Sequence, residues 1–352
     1  MTKSIPKRPR RGQDALLLGC ALLYTVALAL WYSAFFIPQW DSWQLQATAT
    51  IGSWFFLPLW PLLLWAGGRR YWPALMILIL PFALFAHDYG ALFLPNPPAP
   101  RTAAAETEAT AHTLRIMSWN SFYANENSAA LAATVAELQP DLIAIQEFSY
   151  GLADDVRTRL ADALPYQERY PTGGPSGMAI LSRYPILNQS EPDFNRGTGC
   201  NCQQITIDFQ GQPVTIINTH PWPPRVRLAR RGRFPWVSDF STANQDPIID
   251  ALLERIQHAP RPLLVLGDLN TSERQPNYRR LRTLLNDAFA QMGWGMGYTF
   301  PAVERIENIP IIPLLRIDYV FYDNDWRAQR AWVGHIDGSD HRYVAADLTL
   351  NP

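Results

Sequence analysis

Several short apolar runs in this chain end in, or lead straight from, a side chain able to bind a metal ion or a phosphate. Asn120 follows LRIMSW, Glu147 follows LIAIQ and His220 follows TIINT. Asp268 and Asn270 follow LLVLG, and Asp340 and His341 precede the last apolar run. One Asp or Asn after a strand is ordinarily a turn former or a helix cap. Five such tips with seven such residues, in a chain with six histidines, are much harder to assign to capping. Carboxylates and amide oxygens suit hard divalent cations, and an imidazole changes charge near neutral pH.

The elements that must carry these residues are read from the runs themselves. Leu114–Trp119, Leu142–Gln146, Met178–Leu181, Ile205–Phe209, Val214–Ile217, Leu263–Leu266, Tyr319–Phe321 and Val344–Leu348 are short, apolar and rich in β-branched residues, which predicts strands. Gln-Gly-Gln-Pro at 210–213 separates two of them and predicts an antiparallel hairpin. Ser128–Leu138 and Pro247–Ile256 have helical patterns. Hairpins mixed with helical crossovers suggest two packed sheets with helices outside. Buried strand bodies would leave the polar tips converging at one end.

These blocks, in this order, resemble the endonuclease/exonuclease/phosphatase superfamily, the DNase I-like proteins. Ile116–Asn120 is similar to the family's opening strand, and Asp141–Glu147 (DLIAIQE) to its metal-binding block. Ser176–Pro185 (SGMAILSRYP), Asn218-Thr219-His220 and Gly267–Asn270 (GDLN) match later blocks. Arg316–Phe321 (RIDYVF) and Ser339-Asp340-His341 match the closing ones. The resemblance covers about 114–350 and implies a four-layered α/β sandwich that hydrolyses phosphoesters.

Such chemistry needs a positioned water, a group to activate it, and cations that neutralise charge developing on the phosphate. The resemblance gives Glu147 the role of ligand to Mg²⁺ or Mn²⁺, with Asn120 supporting and Asp340 reaching the same ion. Asp268 would orient or deprotonate the attacking water, and Asn270 would grip a phosphate oxygen. His341 would contact the phosphate, its tautomer held by Asp318, and His220 would protonate or polarise the leaving group. His87, His112, His258 and His335 fit no block and read as surface or interface residues.

After His220 comes PWPPRVRLARRGRFPW, which puts Arg225, Arg227, Arg230, Arg231 and Arg233 within nine residues, beside Trp222, Phe234 and Trp236. Guanidinium forks suit phosphate, and a basic cluster with aromatics suits an anionic lipid surface. It also suits a nucleic-acid backbone. The expected substrate is a lipid-linked phosphate or diphosphate such as a polyprenyl diphosphate. The arrangement is similar to the teicoplanin-resistance branch of the superfamily. Alternatives are a membrane-tethered nuclease, a sphingomyelinase-like phosphodiesterase and a binding protein without catalysis. No protein partner is inferred.

The lipid reading comes from the N-terminal part of the chain. Only 17% of the 352 residues are charged and 48% are hydrophobic, with a net charge of −1, which excludes a basic nucleic-acid coat and an acidic disordered tail. A charged fraction below the roughly one-quarter of a soluble domain suggests that part of the chain avoids water. Residues 15–37 and 47–68 carry no charge and are each long enough to cross about 30 Å of hydrocarbon. Residues 71–94 form a third run interrupted by His87 and Asp88. The length of the first run and the presence of the later ones argue against reading it as a cleaved signal. Basic residues cluster in 1–14 and at Arg69-Arg70, so the order is in, out, in. With a crossing third run, the catalytic domain at 114–352 is extracytoplasmic in a multi-pass cell-membrane protein, joined by a Pro/Ala/Thr linker at 95–113. Cys20, Cys200 and Cys202 are too few for a disulfide scaffold. Cys200 and Cys202 read as ordinary small loop residues.

Overall fold

The computed structural model describes residues 11–37, 42–94, 113–194, 199–231, 234–302, 305–306, 309–310 and 312–351. The basic segment 1–10, the linker at 95–112 and Arg233 lie outside the described residues, as does the Arg231 side chain. The chain forms two compact units, Met1–Ala91 and Leu92–Pro352.

In the first unit, α1 (Arg11–Ala34), α2 (Trp43–Thr50), α3 (Leu59–Arg69) and α4 (Trp72–Tyr89) follow one another. α1, and α4 with its short 3₁₀ extension to Phe93, are long and apolar enough to cross a membrane, with mean hydropathies of 2.0 and 1.7. The second expected span, 47–68, is not one helix. It breaks after Thr50, and the two pieces are bent by 77°. Ile51 leaves the helical region at φ −107°, ψ 23°, next to Gly52. Pro58 then lacks the N–H that would continue the helical ladder, and its ring crowds the carbonyl four residues back. Two contacts orient the bundle. Arg69 Nε donates to Asp14 Oδ1 at 2.8 Å, and the Tyr32 hydroxyl donates to Asp88 Oδ1 at 2.9 Å. The start of α1 thus lies beside the end of α3, and the end of α1 beside the end of α4. Within this unit α1 and α4 run in the same direction, with α3 returning between them in sequence.

The second unit opens with β1 (Thr113–Asn120), α5 (Ser128–Leu138), β2 (Leu142–Gln146), α6 (Tyr150–Arg159), β3 (Tyr166–Tyr170) and β4 (Met178–Ser182). It continues with β5 (Ile186–Asp193), β6 (Cys202–Phe209), β7 (Gln212–Thr219), β8 (Arg225–Arg231) and β9 (Phe234–Ser241). Then come α7 (Asp246–His258), β10 (Leu263–Asp268), α8 (Pro276–Arg282), β11 (Asn286–Asp287) and α9 (Ala288–Met292). The short β12 (Arg305–Ile306) and β13 (Ile309–Pro310) precede β14 (Asp318–Tyr322), β15 (Trp326–Gly334) and β16 (Tyr343–Leu350). Two six-stranded sheets result, ordered β15-β16-β1-β2-β4-β3 and β11-β14-β10-β7-β6-β5.

Alternation explains the layers, because successive strand residues point to opposite faces. Trp119, Ile143, Ile145 and Ala179 pack with Leu131 and Val135 of α5 and Leu152 and Val156 of α6. On the other sheet, Ile217, Val265, Tyr319 and Phe321 pack with Ile249, Leu252 and Ile256 of α7 and Leu281 of α8. The alternate residues Ile116, Ala144, Ile180, Ile216, Leu264 and Leu266 are also buried and fill the space between the sheets. The fold is the four-layered α/β sandwich expected from the sequence. β6 and β7 form the expected hairpin, turning at Gln210 and Gly211 with φ of 57° and 88°. This pair of positive angles gives the twist-matched two-residue turn.

The register aligns the polar tips. β1 pairs parallel with β2, bringing Asn120 opposite Gln146. β10 pairs parallel with β7, Gly267 opposite Thr219, and antiparallel with β14, Asp268 opposite Asp318. Cys200 and Cys202 are not ordinary loop residues but a disulfide closed across Asn201.

Candidate active site

Asp268 is the centre of the converging tips. It ends β10 directly after Gly267, where a Cβ would come within 1.9 Å of the Thr219 carbonyl oxygen. A side chain there would push β10 from β7, so glycine is what lets Asp268 and His220 approach. Asp268 is 1% exposed. Its Oδ1 accepts the Asn270 backbone N–H at 2.8 Å, and its Oδ2 accepts the Asn120 amide at 3.0 Å. Two imidazoles flank the same Oδ2, with His220 Nε2 at 3.4 Å and His341 Nε2 at 3.7 Å.

The other ring nitrogens are fixed as well. His220 Nδ1 faces the Pro175 carbonyl at 3.1 Å, which can only accept, so Nδ1 carries a proton. His341 Nδ1 faces Asp318 Oδ2 at 3.0 Å. Asp318 is itself held by Thr299, whose hydroxyl accepts its backbone N–H at 3.3 Å. Phe300 covers the His341 ring at 4.7 Å between centroids.

Burial and charge oppose one another in this cluster. Burial lowers the His341 pKa, but the carboxylates of Asp318 and Asp268 outweigh it and push the pKa up to about 10. For His220 burial again lowers, and the hydrogen bond and charge of Asp268 with the charge of Glu147 leave it raised. Burial would raise Asp268, but the two imidazoles and the Asn270 N–H hold it below the usual carboxylate range. Asp318 stays raised, because burial and the Asp268 charge exceed what His341 returns. Burial likewise raises Asp340.

Glu147 follows β2 with φ of 55°, a left-handed conformation that non-glycine residues adopt sparingly and that gathers at functional sites. Its Oε1 accepts the Asn120 amide at 3.2 Å and lies 3.8 Å from His220 Nε2. Its Oε2 accepts the Tyr123 N–H at 3.0 Å. Asn120 turns its oxygen to the Phe122 N–H at 3.0 Å, so its nitrogen faces the carboxylates. To ligate a cation it would have to present the oxygen instead. Asn270, at φ of 50°, donates its amide to the Pro221 carbonyl at 3.1 Å. A grip on phosphate would redirect that hydrogen bond. Asp340 borders His341, and its backbone carbonyl accepts the Ala302 N–H at 2.6 Å.

The closest grouping of potential ligand atoms among the described residues is Asp268, Asp318 and His341, all within 4.8 Å of one another. It differs from the set expected from the sequence, Glu147, Asn120 and Asp340. Asp318 and His341 already share a hydrogen-bonded proton, which a cation between them would displace. Glu147 keeps its carboxylate at the rim beside Asn120 and Asp268, and these oxygens together suit a hard divalent ion.

The arginines after His220 do not enter this cluster as a group. Arg225, Arg227 and Arg230 lie on β8, one strand of the two-stranded ribbon β8–β9, and are exposed. Arg225 and Arg227 lie 3.9 and 3.8 Å from Asp239.

Several supporting residues were not read from the sequence. The disulfide-closed Asn201, at φ of 43°, accepts the His220 N–H at 3.0 Å and the Thr219 hydroxyl at 3.2 Å through its carbonyl. Its side-chain amide also donates to the His220 carbonyl. Gln146 donates to Asn218 at 2.7 Å, and Asn218 donates to the carbonyls of Ile145 and Ala179, stitching the sheets beneath the site. Gln245 is buried and donates to the Trp222, Leu269 and Asn270 carbonyls. Ser339 donates to the Asn120 carbonyl at 2.7 Å and accepts the His341 N–H at 2.9 Å. Buried Arg316 pairs with Asp287 and Glu273 and lies 4.7 Å over Tyr319. The legible signal was a polar residue inside an apolar run, as at Gln146 and Asn218.

Comparison with known proteins agrees with this fold. A family profile described as Endonuclease/Exonuclease/phosphatase family matches residues 117–341. No curated protein sequence matches the chain. An endonuclease/exonuclease/phosphatase from Beutenbergia cavernae is similar in structure, at TM-score 0.53 and 20% identity, covering 68% of this chain and 72% of its own. A family protein from Bacteroides thetaiotaomicron superposes at 0.51 and 17%, covering 68% and 98%. TDP2 of D. rerio, complexed with a single-strand DNA product, superposes at 0.53 and 16%, covering 67% and 99%.

Proposed function

From the premise that this chain belongs to the endonuclease/exonuclease/phosphatase family and is a metal-dependent phosphoric ester hydrolase, we propose that it hydrolyses the phosphate ester or diphosphate of a membrane lipid, such as a polyprenyl diphosphate, outside the cytoplasm. The observation that carries the hydrolytic part is one buried carboxylate, Asp268, flanked by two imidazole Nε2 atoms. Asp268 is held ionised, so it can orient a water and accept its proton. His220, with Nδ1–H committed to Pro175, presents Nε2 to the leaving oxygen and can return a proton to it. His341, kept protonated by Asp318, faces the phosphate with a positive charge. Glu147 would hold a divalent cation, with Asn120 and Asp340 as the further candidate ligands, and the ion would neutralise charge developing on the phosphate. Mg²⁺ fits this oxygen-rich set, and Mn²⁺ would serve.

Membrane confinement supports the lipid substrate. α1 and the α4 segment are long and apolar enough to span, and a domain on the same chain samples headgroups at high effective concentration. The extracytoplasmic side is supported by two features. α1 and α4 run in the same direction, with α3 returning, so an odd number of crossings fits the bundle. The Cys200–Cys202 disulfide suits an oxidising compartment.

The test is phosphate release by the full chain with Mg²⁺, from polyprenyl diphosphate in detergent and from plasmid DNA in parallel, with Asp268→Ala as blank. The expected result is release from the lipid with intact plasmid. Nicked plasmid and untouched lipid would overturn the lipid reading in favour of a nuclease. Silence on both with cleavage of sphingomyelin would make it a phosphodiesterase.

A further inference from the structure

The ribbon β8–β9 combines features that the hydrolytic site does not use. Along β8 residues alternate between faces, and the register sets Val226 opposite Phe240 and Leu228 opposite Val237. Val226, Leu228 and Val237 therefore share a face, with Arg230 next along it. Phe240 at its base is buried, while Val226, Leu228 and Val237 are 49%, 64% and 39% exposed. The opposite face carries Arg225, Arg227 and Trp236, the last 47% exposed. Over 225–241 the sequence holds five arginines against one aspartate, in a chain whose net charge is −1.

We infer that the β8–β9 ribbon is a membrane-docking wedge, whose Val226–Leu228–Val237 face enters the interfacial zone of an anionic bilayer while Arg225, Arg227, Arg230 and Trp236 engage the headgroups. Exposed apolar residues gathered on one ribbon mark an interaction surface rather than ordinary scatter. Arginine stems can lie along apolar surface with the guanidinium at the phosphates, and Trp favours the same depth. A bilayer fits better than a protein partner because the segment's excess of positive charge complements anionic headgroups. The chain's own apolar helices also bring such a surface within reach.

Docking there orients the site. Arg225 lies five residues after His220, at most about 17 Å of extended chain. The intervening chain is tied to the site, since the Pro221 carbonyl accepts the Asn270 amide and the Trp222 carbonyl accepts the Gln245 amide. An inserted ribbon would thus hold Asp268 and its imidazoles over the headgroup layer, where a lipid phosphate is met. The inference extends the proposed function to the surface on which the enzyme works, and only its kinetic test rests on that reading.

The test uses the full chain carrying Cys20→Ser, with a nitroxide on Leu228→Cys, in vesicles of phosphatidylcholine with or without phosphatidylglycerol. Accessibility to oxygen and to a water-soluble nickel complex is read by EPR, and a label on exposed Leu187→Cys serves as the aqueous control. The expected result in anionic vesicles is high oxygen and low nickel accessibility at 228 and the reverse at 187. Equal nickel accessibility at both positions would overturn the inference. So would a 228 label shielded from oxygen and nickel alike, which would indicate a protein partner or a second copy. In the kinetic test, Val226→Glu with Leu228→Glu should lower turnover of vesicle-borne lipid phosphate about tenfold, the order expected for losing one well-buried apolar side chain. Turnover of soluble p-nitrophenyl phosphate should be unchanged. An equal loss on both substrates, or none on either, would also overturn it. If the wild type hydrolyses neither, the substrate reading fails while the label depth still decides docking.

Discussion

Asp268 gathers the Asn270 N–H, the Asn120 amide and two flanking imidazoles around one carboxylate. Removing its charge should therefore do more than remove a base. Asp268→Asn should lower turnover by about 10²–10⁴-fold, the usual range for a proton-transfer group. With the metal chelated, it should also bring the His341 titration down from about 10, read by imidazole NMR. An unmoved titration would disconnect the two residues. The same pair sets a pH dependence of stability. His341 has a folded pKa above the 6.5 of the free side chain, so its contribution is fully present below about pH 6.5 and is lost as pH rises through about 10. Asp268 is shifted down, so its contribution is present above the unfolded carboxylate range and is lost as acid protonates it. In excess chelator the melting temperature should thus fall as pH rises from about 6.5 to 10, and His341→Asn should flatten that limb; an unchanged limb would contradict the assignment. At this scale the motif residues were legible because chemistry restricts their type. Asn201, Gln245 and Thr299 were not, since their work is to bind backbone groups brought together by the fold, and nothing local in the sequence marks that.

The strand elements divide by position in their sheets. β1, β2, β4, β7, β10 and β14 were legible because they lie inside sheets and bury both faces, which writes a continuous apolar run. β3, β5 and β15 stand at sheet edges, and β8–β9 is a separate ribbon. Partial burial gives YQERY and WRAQRAWVG, patterns that do not separate from loop. The turn Cys200–Asn201–Cys202 was misread for a related reason, because its pairing lies in three-dimensional closure rather than in a recurring framework. It binds both backbone polar groups of His220. Cys200→Ser with Cys202→Ser should consequently lower kcat more than it raises KM, since the reactive ring and not the lipid contact is released. Asn201→Ala should do the same under oxidising conditions. A change confined to KM would detach this turn from catalysis.

At the scale of the whole molecule, the side on which the catalytic domain works depends on an odd or even number of crossings. Two apolar helices alone would return the chain to the side of its basic N-terminus. In the proposed topology the bent pair α2–α3 counts as the third crossing, in keeping with Arg69 at the end of α3 against Asp14 at the start of α1 and Asp88 in α4 against Tyr32 late in α1. The sequence anticipated three runs but took the second as one helix; the break at Ile51 depends on how α2 and α3 fold back, which hydropathy does not record. Arg69 and Arg70 should then share the cytoplasmic face with the N-terminal basic cluster. In a bacterial inner membrane, alkaline phosphatase fused after Asn351 should be active and a green fluorescent protein fused there should be dark. The opposite pair of results would return the domain to the cytoplasm and leave the Cys200–Cys202 disulfide in a reducing compartment. Replacing Arg69 and Arg70 with Leu should weaken this orientation, because it removes the basic pair that would keep the α3–α4 turn inside. A fusion signal unaffected by that change would shift the determinant to the N-terminal cluster alone.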